Sequence, residues 1–300
     1  RMNIMKIIYE GNINNSHCLY KFSSVYYLFS KNICLAVYKA GSAMRNNCGK
    51  DCVTEYMDYE AFERARDKVI GKEHNNKGIG TLSEKTLHAV LKNYYEPDED
   101  KHEVAIDGYY ADIFNDSGII EIQTRQLNRL RDKLAVFLEE YHVTVVYPCA
   151  YNKWLSWIDP DSGEVGNKRK SPKHYTEYDA FYELYKIKMF LKHPNLSVHL
   201  MLLDIEEYKL LNGWNYTKKR GATRYDRVPV GLRGITRLDR PEDYMQFVPI
   251  ELEDEFTVRE FACAAKLHED TARLSLNILN HLDVVKRVGK KGNAYVYSCQ

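Results

Sequence analysis

The chain alternates between two hydrophobic rhythms. Asp58 to Ile70 carries apolar residues at helical spacing. Leu87, Val90 and Leu91 do the same in a helix that ends at about Tyr94, before Pro97 and the acidic run Asp98–Asp100. Thr81 and Glu84 form a capping signature at the start of that helix, because a Thr oxygen caps the first turn while a Glu three residues on reaches back. The period then shortens to two. Val104 to Ile106, Tyr109 to Asn115 and Ile119 to Thr124 read as three strands, with Asp107-Gly108 as the first turn and Asp116-Ser-Gly118 as the second. The helical period returns in Gln126 to Tyr141, apolar at Leu127, Leu130, Leu134, Phe137 and Leu138, and Val143 to Tyr147 is a β-branched strand.

Further along, Trp154 to Ile158 and Gly163 to Asn167 read as a hairpin. Tyr178 to Leu191 reads as a helix and Val198 to Leu203 as a buried strand. Residues 212–250, rich in Lys, Arg, Gly and Pro, read as irregular. Thr257 to Glu260 is a second capping box. It opens a helix to about Lys266, a further helix runs from His268 to His281, and Val284 to Ser298 reads as a hairpin with a basic tip. That order is the order of a winged helix. The expected organisation is an atypical extension over 1–56, an α/β domain over 57–250 and a small module over 251–300. The extension is unlike the rest, with seven Asn in its first 50 residues and no sustained period: it reads either as a small, poorly packed extension or as sequence upstream of the true start, with Met44 or Met57 as the natural initiator.

Charge sharpens this picture. Lys and Arg total 43 against 42 Asp and Glu, a formal +1. Residues 1–50 hold seven basic and one acidic side chain, so the remainder is acidic, yet residues 168–240 hold 16 basic against eight acidic. Nucleic acid, if bound, is gripped locally: by Lys168, Arg169, Lys170 and Lys173; by Lys218, Lys219 and Arg220, with Trp214, Tyr216 and Tyr225 interleaved; and by Arg273, Lys290 and Lys291 of the C-terminal module. Glu269, Asp270, Thr271, Arg273 and Asn277 lie on the helix that a winged helix places in the major groove. The same module is also a candidate protein-docking surface. Seven scattered cysteines indicate reduced thiols and a cytoplasmic setting, Cys48 and Cys52 being too few ligands for zinc. No apolar run has the length of a membrane span.

Chemistry concentrates on the second and third strands. Glu121, Gln123 and Arg125 share a face by period two, and a two-residue loop at Asp116-Ser117 or Ser117-Gly118 sets Asp112 across from Glu121 or Gln123. Converging carboxylates beside an amide oxygen suit Mg²⁺ or Mn²⁺. Asp107 belongs to its Asp-Gly turn, and His88 and His102 read as surface or satisfied histidines. Helix, three-strand meander, helix, strand, with Asp112 on the second strand and Glu121-x-Gln123 on the third, resembles the PD-(D/E)XK nuclease superfamily, the restriction-endonuclease-like fold. The resemblance covers residues 81 to about 150. It implies a mixed sheet flanked by helices, Mg²⁺ held by Asp112 and Glu121, DNA as partner, and phosphodiester hydrolysis. Gln123 stands where that family usually has Lys and would orient water or metal; Arg125 or Lys133 are the candidates for the displaced positive charge. Glu84 matches the Glu that many members carry on the preceding helix, and its capping role competes with this.

Overall fold

The computed structural model describes residues 58–75, 86–214 and 220–299. Helix α1, Tyr59–Asn75, begins where Asp58 Oδ1 accepts the Ala61 N–H at 2.7 Å. It buries Phe62, Ala65 and Val69, the stripe its period predicts. Helix α2, Thr86–Tyr95, buries Leu87, Val90 and Leu91 beside it. Three short strands follow: β1, His102–Ile106; β2, Tyr109–Asn115; β3, Gly118–Ile122. Between β1 and β2, Asp107 (φ 47°) and Gly108 (φ 83°) make a tight turn with two left-handed residues, the twist a two-residue hairpin needs. Helix α3, Arg131–Glu140, is preceded by a 3₁₀ turn, Leu127–Leu130. Strand β4, Val143–Ile158, then runs parallel to β3.

Sixteen residues make β4 far longer than the strand expected at Val143 to Tyr147. Its first half pairs with β3. Past the end of β3, its vacated edge is taken by β5, Arg169–Lys170, antiparallel to Trp154 and Leu155. The expected return arm at 163–167 is reduced to one bridge, Ile158 to Val165. A short helical segment over residues 177–190 mixes 3₁₀ and α turns where one helix was expected. Strand β6, Leu196–Trp214, lies parallel to β4, and β7, Arg220–Leu238, antiparallel to β6. Residues 220–238 are therefore strand, against the irregular reading of 212–250. The sheet order is β1-β2-β3-β4-β6-β7, mixed in direction.

Alternation along these strands builds two cores. On one face, α1 and α2 cover Ile113, Ile120, Ile122, Val146, Met201, Leu203 and Ile205. On the other, α3 and segment 177–190 cover Ile119, Val143, Val145, Val198 and Leu200. The protein is thus an α/β fold with a large mixed sheet between helical layers. The second core continues without a break into the C-terminal elements: β8, Glu255–Thr257; α4, Val258–Ala265; α5, Glu269–His281; β9, Val285–Lys291; and β10, Ala294–Cys299. These strands form a second antiparallel sheet in the order β8-β10-β9. Thr257 Oγ1 and the Glu260 carboxylate cap α4 reciprocally, as the sequence indicated.

Candidate functional site

The pairing of β2 with β3 fixes the centre of the site. Asn115 faces Gly118 and Ile113 faces Ile120, so the loop is Asp116-Ser117 and Asp112 lies across from Glu121. Regular pairing stops at Ile113. Beyond it, the Ile122 N–H donates to Asp112 Oδ2 at 2.7 Å. Ala111 and Ile113 belong to the cores on opposite faces, so alternation breaks at Asp112. The break aims its carboxylate at the edge of β3, where His88 Nε2 of α2 also reaches Oδ2, at 3.2 Å. Glu121 is 2% exposed, on the α3 side. Lys133 of α3 crosses to it, placing Nζ 3.0 Å from both carboxylate oxygens, and also donates to the Tyr110 carbonyl at 2.6 Å.

Two carboxylates, one ammonium and one imidazole therefore meet where the ladder opens. Burial, and next the charge of Asp112, push the Glu121 carboxyl up to about 7, against the pull of Lys133. Burial acts the same way on Asp112, but the His88 hydrogen bond and charge and the Ile122 N–H outweigh it and hold this carboxyl below its ordinary range. At neutral pH the pair carries between one and two charges in a site with little water to screen them. A hard divalent cation relieves that repulsion and accepts one or two carboxylates plus waters, so the donor chemistry of Asp112 and Glu121 fits Mg²⁺ or Mn²⁺. No group of three or more His, Cys, Asp or Glu side chains suited to a metal occurs among the described residues. Any such ion would complete its shell with water or substrate oxygens.

The other expected residues separate. Gln123 leaves the pair: its Nε2 donates to the Arg125 carbonyl at 2.6 Å and bridges toward the Gln126 carbonyl, holding the left-handed Gln126 (φ 59°) in the loop before α3. Arg125 is exposed. Glu84, Lys218 and Lys219 lie outside the described residues, as does the capping signature at Thr81; Arg220 is described as backbone, facing Trp214 across the β6–β7 pair. Sequence reasoning set His88 aside as a lone histidine. Only the approach of α2 to the break in β2 reveals it.

The basic residues sit on aromatic surface. Lys168 and Lys170 lie 5.9 and 5.7 Å from the Trp154 ring, Arg169 5.3 Å from Trp157, and Lys173 4.2 Å from Tyr175. Lys168 also pairs with Glu206 at 2.6 Å. In the C-terminal module, Lys290 and Arg287 flank Tyr295, and Lys291 is exposed. Arg273 turns back on Asp270 and Glu269 of its own helix. Thr271 and Asn277, expected to face outward from α5, instead bond Tyr182 and Lys188 of the segment over residues 177–190.

Comparison with known proteins gives family without activity. A family model described as "Domain of unknown function (DUF8091)" matches residues 85–239, from α2 to the end of β7. A Treponema pallidum (strain Nichols) protein described as "Uncharacterized protein" is 29% identical over 167 residues, 55% of this chain and 64% of that relative. The chain thus spans under two thirds of the relative's length. No solved structure matches the chain.

Proposed function

The chain belongs to the DUF8091 family, and from the chemistry of its site we propose that it binds DNA and hydrolyses phosphodiester bonds with Mg²⁺ or Mn²⁺. The observation that carries this reading is Lys133, whose ammonium lies on both oxygens of Glu121 beside Asp112. It supplies from α3 the cation that Gln123 lacks. The order α2, β1-β2-β3 meander, α3, parallel β4 supports the restriction-endonuclease-like fold, and α4, α5 and the β9–β10 hairpin support a winged helix.

In this reading Asp112 and Glu121 hold the ion, which when bound lowers the pKa of water and offsets charge on the phosphate. His88 orients Asp112 through Oδ2. Lys133, held between Glu121 and the Tyr110 carbonyl, would on ion binding turn its charge from Glu121 to the attacking water or a phosphate oxygen. The basic, aromatic-backed surface of β5 and the tip of β9–β10 hold the DNA backbone. Glu121→Gln keeps the shape of the site and removes its charge. We expect purified wild-type chain to cleave DNA with Mg²⁺ or Mn²⁺, and the Gln variant to lose cleavage while its circular dichroism is unchanged. Cleavage that survives the substitution refutes the site.

A second reading has its own support. The Gln123 amide is committed to the loop, which suits a chain that has kept the fold and lost catalysis. Salt-sensitive DNA binding without cleavage on single- or double-stranded substrates with either ion would establish it. The segment over residues 177–190 already bonds Thr271 and Asn277, which favours a docking rather than a base-reading role for α5.

A further inference from the structure

Along β4, a second charged cluster lies beyond the end of β3. A pocket of about 110 Å³ opens there, lined by Tyr147, Cys149, Lys153, Tyr175, Glu207 and Arg227, with Asp179 at its side. Glu207 is 3% exposed and serves three cations at once: Arg224 at 3.5 Å, Lys209 at 3.4 Å and Lys153 at 3.8 Å. Arg227 is a fourth. It faces the same pocket, yet its guanidinium makes no hydrogen bond or ion pair with any described residue, although burial and then the charge of Arg224 depress its pKa to about 10. Its neighbour Asp226 turns to the other face of the sheet, where Thr86 donates to it. Three cations thus pair with Glu207, Asp179 accepts the Thr176 N–H, and Lys173 adds a further cation over the Tyr175 ring, with Glu177 and Glu183 as the other carboxylates near the pocket wall. A planar fork of N–H donors that faces an open pocket and is not taken by a described carboxylate is suited to grip an oxyanion in two places.

We propose that this pocket binds a phosphate group, with the Arg227 fork on two of its oxygens and Lys153 on a third. A dianionic phosphate monoester balances the charge surplus better than a carboxylate. The volume is smaller than the ~150 Å³ that holds a benzene ring, so the pocket encloses the phosphate alone, and a nucleoside would lie outside against Tyr147 and Tyr175. Phosphate, nucleotide and the 5′ end of a strand share this chemistry. The site does not depend on Asp112 and Glu121.

Calorimetric titration of the full chain with inorganic phosphate, thymidine 5′-monophosphate and thymidine tests it. Both phosphates should bind and thymidine should not. Equal affinities assign free phosphate as the ligand, and tighter binding of the nucleotide assigns a nucleotide or strand end. Arg227→Gln should weaken binding about tenfold or more, the loss of a charge-assisted bidentate contact. Lys153→Gln should act in the same direction, and guards against a folding defect in the first variant. Glu121→Gln should bind phosphate as the wild type does, whatever its cleavage. No phosphate binding, affinity unchanged in both pocket variants, or loss of binding in Glu121→Gln would each overturn the proposal.

Discussion

Ionising Glu121 sets a second negative charge beside Asp112 inside the sheet, and the protein's response to pH should report it. The folded carboxyl titrates near 7, above its ordinary 4.5, so its contribution to stability is complete below about pH 4.5 and is lost as pH rises through 7. That shift corresponds to about 3 kcal/mol at most. Asp112 is shifted the opposite way, and its contribution is lost only as pH falls below the usual carboxylate range. Buried His199, held down to about 4, titrates across part of the same window with the opposite sign, so the difference between wild type and Glu121→Gln is what reads Glu121. Urea unfolding at pH 5 and pH 7.5 should show a larger drop for the wild type than for Glu121→Gln; equal drops would refute the coupling. Lys133→Met removes the one ammonium on Glu121, raises its carboxyl further and costs up to about 3–5 kcal/mol, less where the carboxyl takes up a proton. Side-chain ¹³C titration of Glu121 measures the first effect. Loop length left Glu121 and Gln123 both open opposite Asp112; the β2–β3 register selects Glu121, and the break in alternation that aims the Asp112 carboxylate has no sequence signal. Lys133 was legible only as one of two candidate cations, and His88 not at all. Both arrive from helices whose crossing over the sheet no local pattern encodes.

Elements were legible where one face meets a core and the other meets water. The helices satisfy that condition, and so do the meander and the Thr257 box. Thr257→Ala should cost about 1 kcal/mol, read from chemical denaturation, because α4 loses the oxygen that accepts the Glu260 N–H. Gly118 is a sharper case. Its φ is +102°, and a methyl group there would sit 2.3 Å from the His142 carbonyl oxygen, which accepts the Ile119 N–H. Gly118→Ala therefore combines strain with a backbone clash and should cost about 2–4 kcal/mol. A cost below 1 kcal/mol by the same measurement would contradict this close approach of the turn to the start of β4. The far halves of β6 and β7 were missed for the opposite reason, whereas the end of β4 was expected as the strand Trp154 to Ile158. Lys209 and Arg224 alternate with residues that are themselves half-exposed or exposed, and the buried side chain between Glu206 and Tyr208 is the charged Glu207. A stretch of sheet with water near both faces has no hydrophobic contrast, so its period carries no signal.

For the molecule as a whole, a near-zero net charge conceals a basic surface laid along the extended end of the sheet. If that surface holds DNA, Arg169→Gln and Lys170→Gln should each flatten the log affinity against log salt slope by about 0.9 for a lost phosphate contact on a duplex. An unchanged slope would mean these side chains only pack on Trp154 and Trp157. The described helices include none long and apolar enough to cross a membrane. The core shared between segment 177–190 and the C-terminal elements bears on synthesis. Phe181, Leu184 and Ile187 are covered by residues as distant as Leu276, Ile278 and Leu279. While the chain is being made, the part of that face covered by α5 stays open until roughly ninety more residues have emerged. A ribosome paused after β7 has emerged and before α5 would expose a sticky, nearly finished sheet, the kind of surface chaperones hold and proteases find.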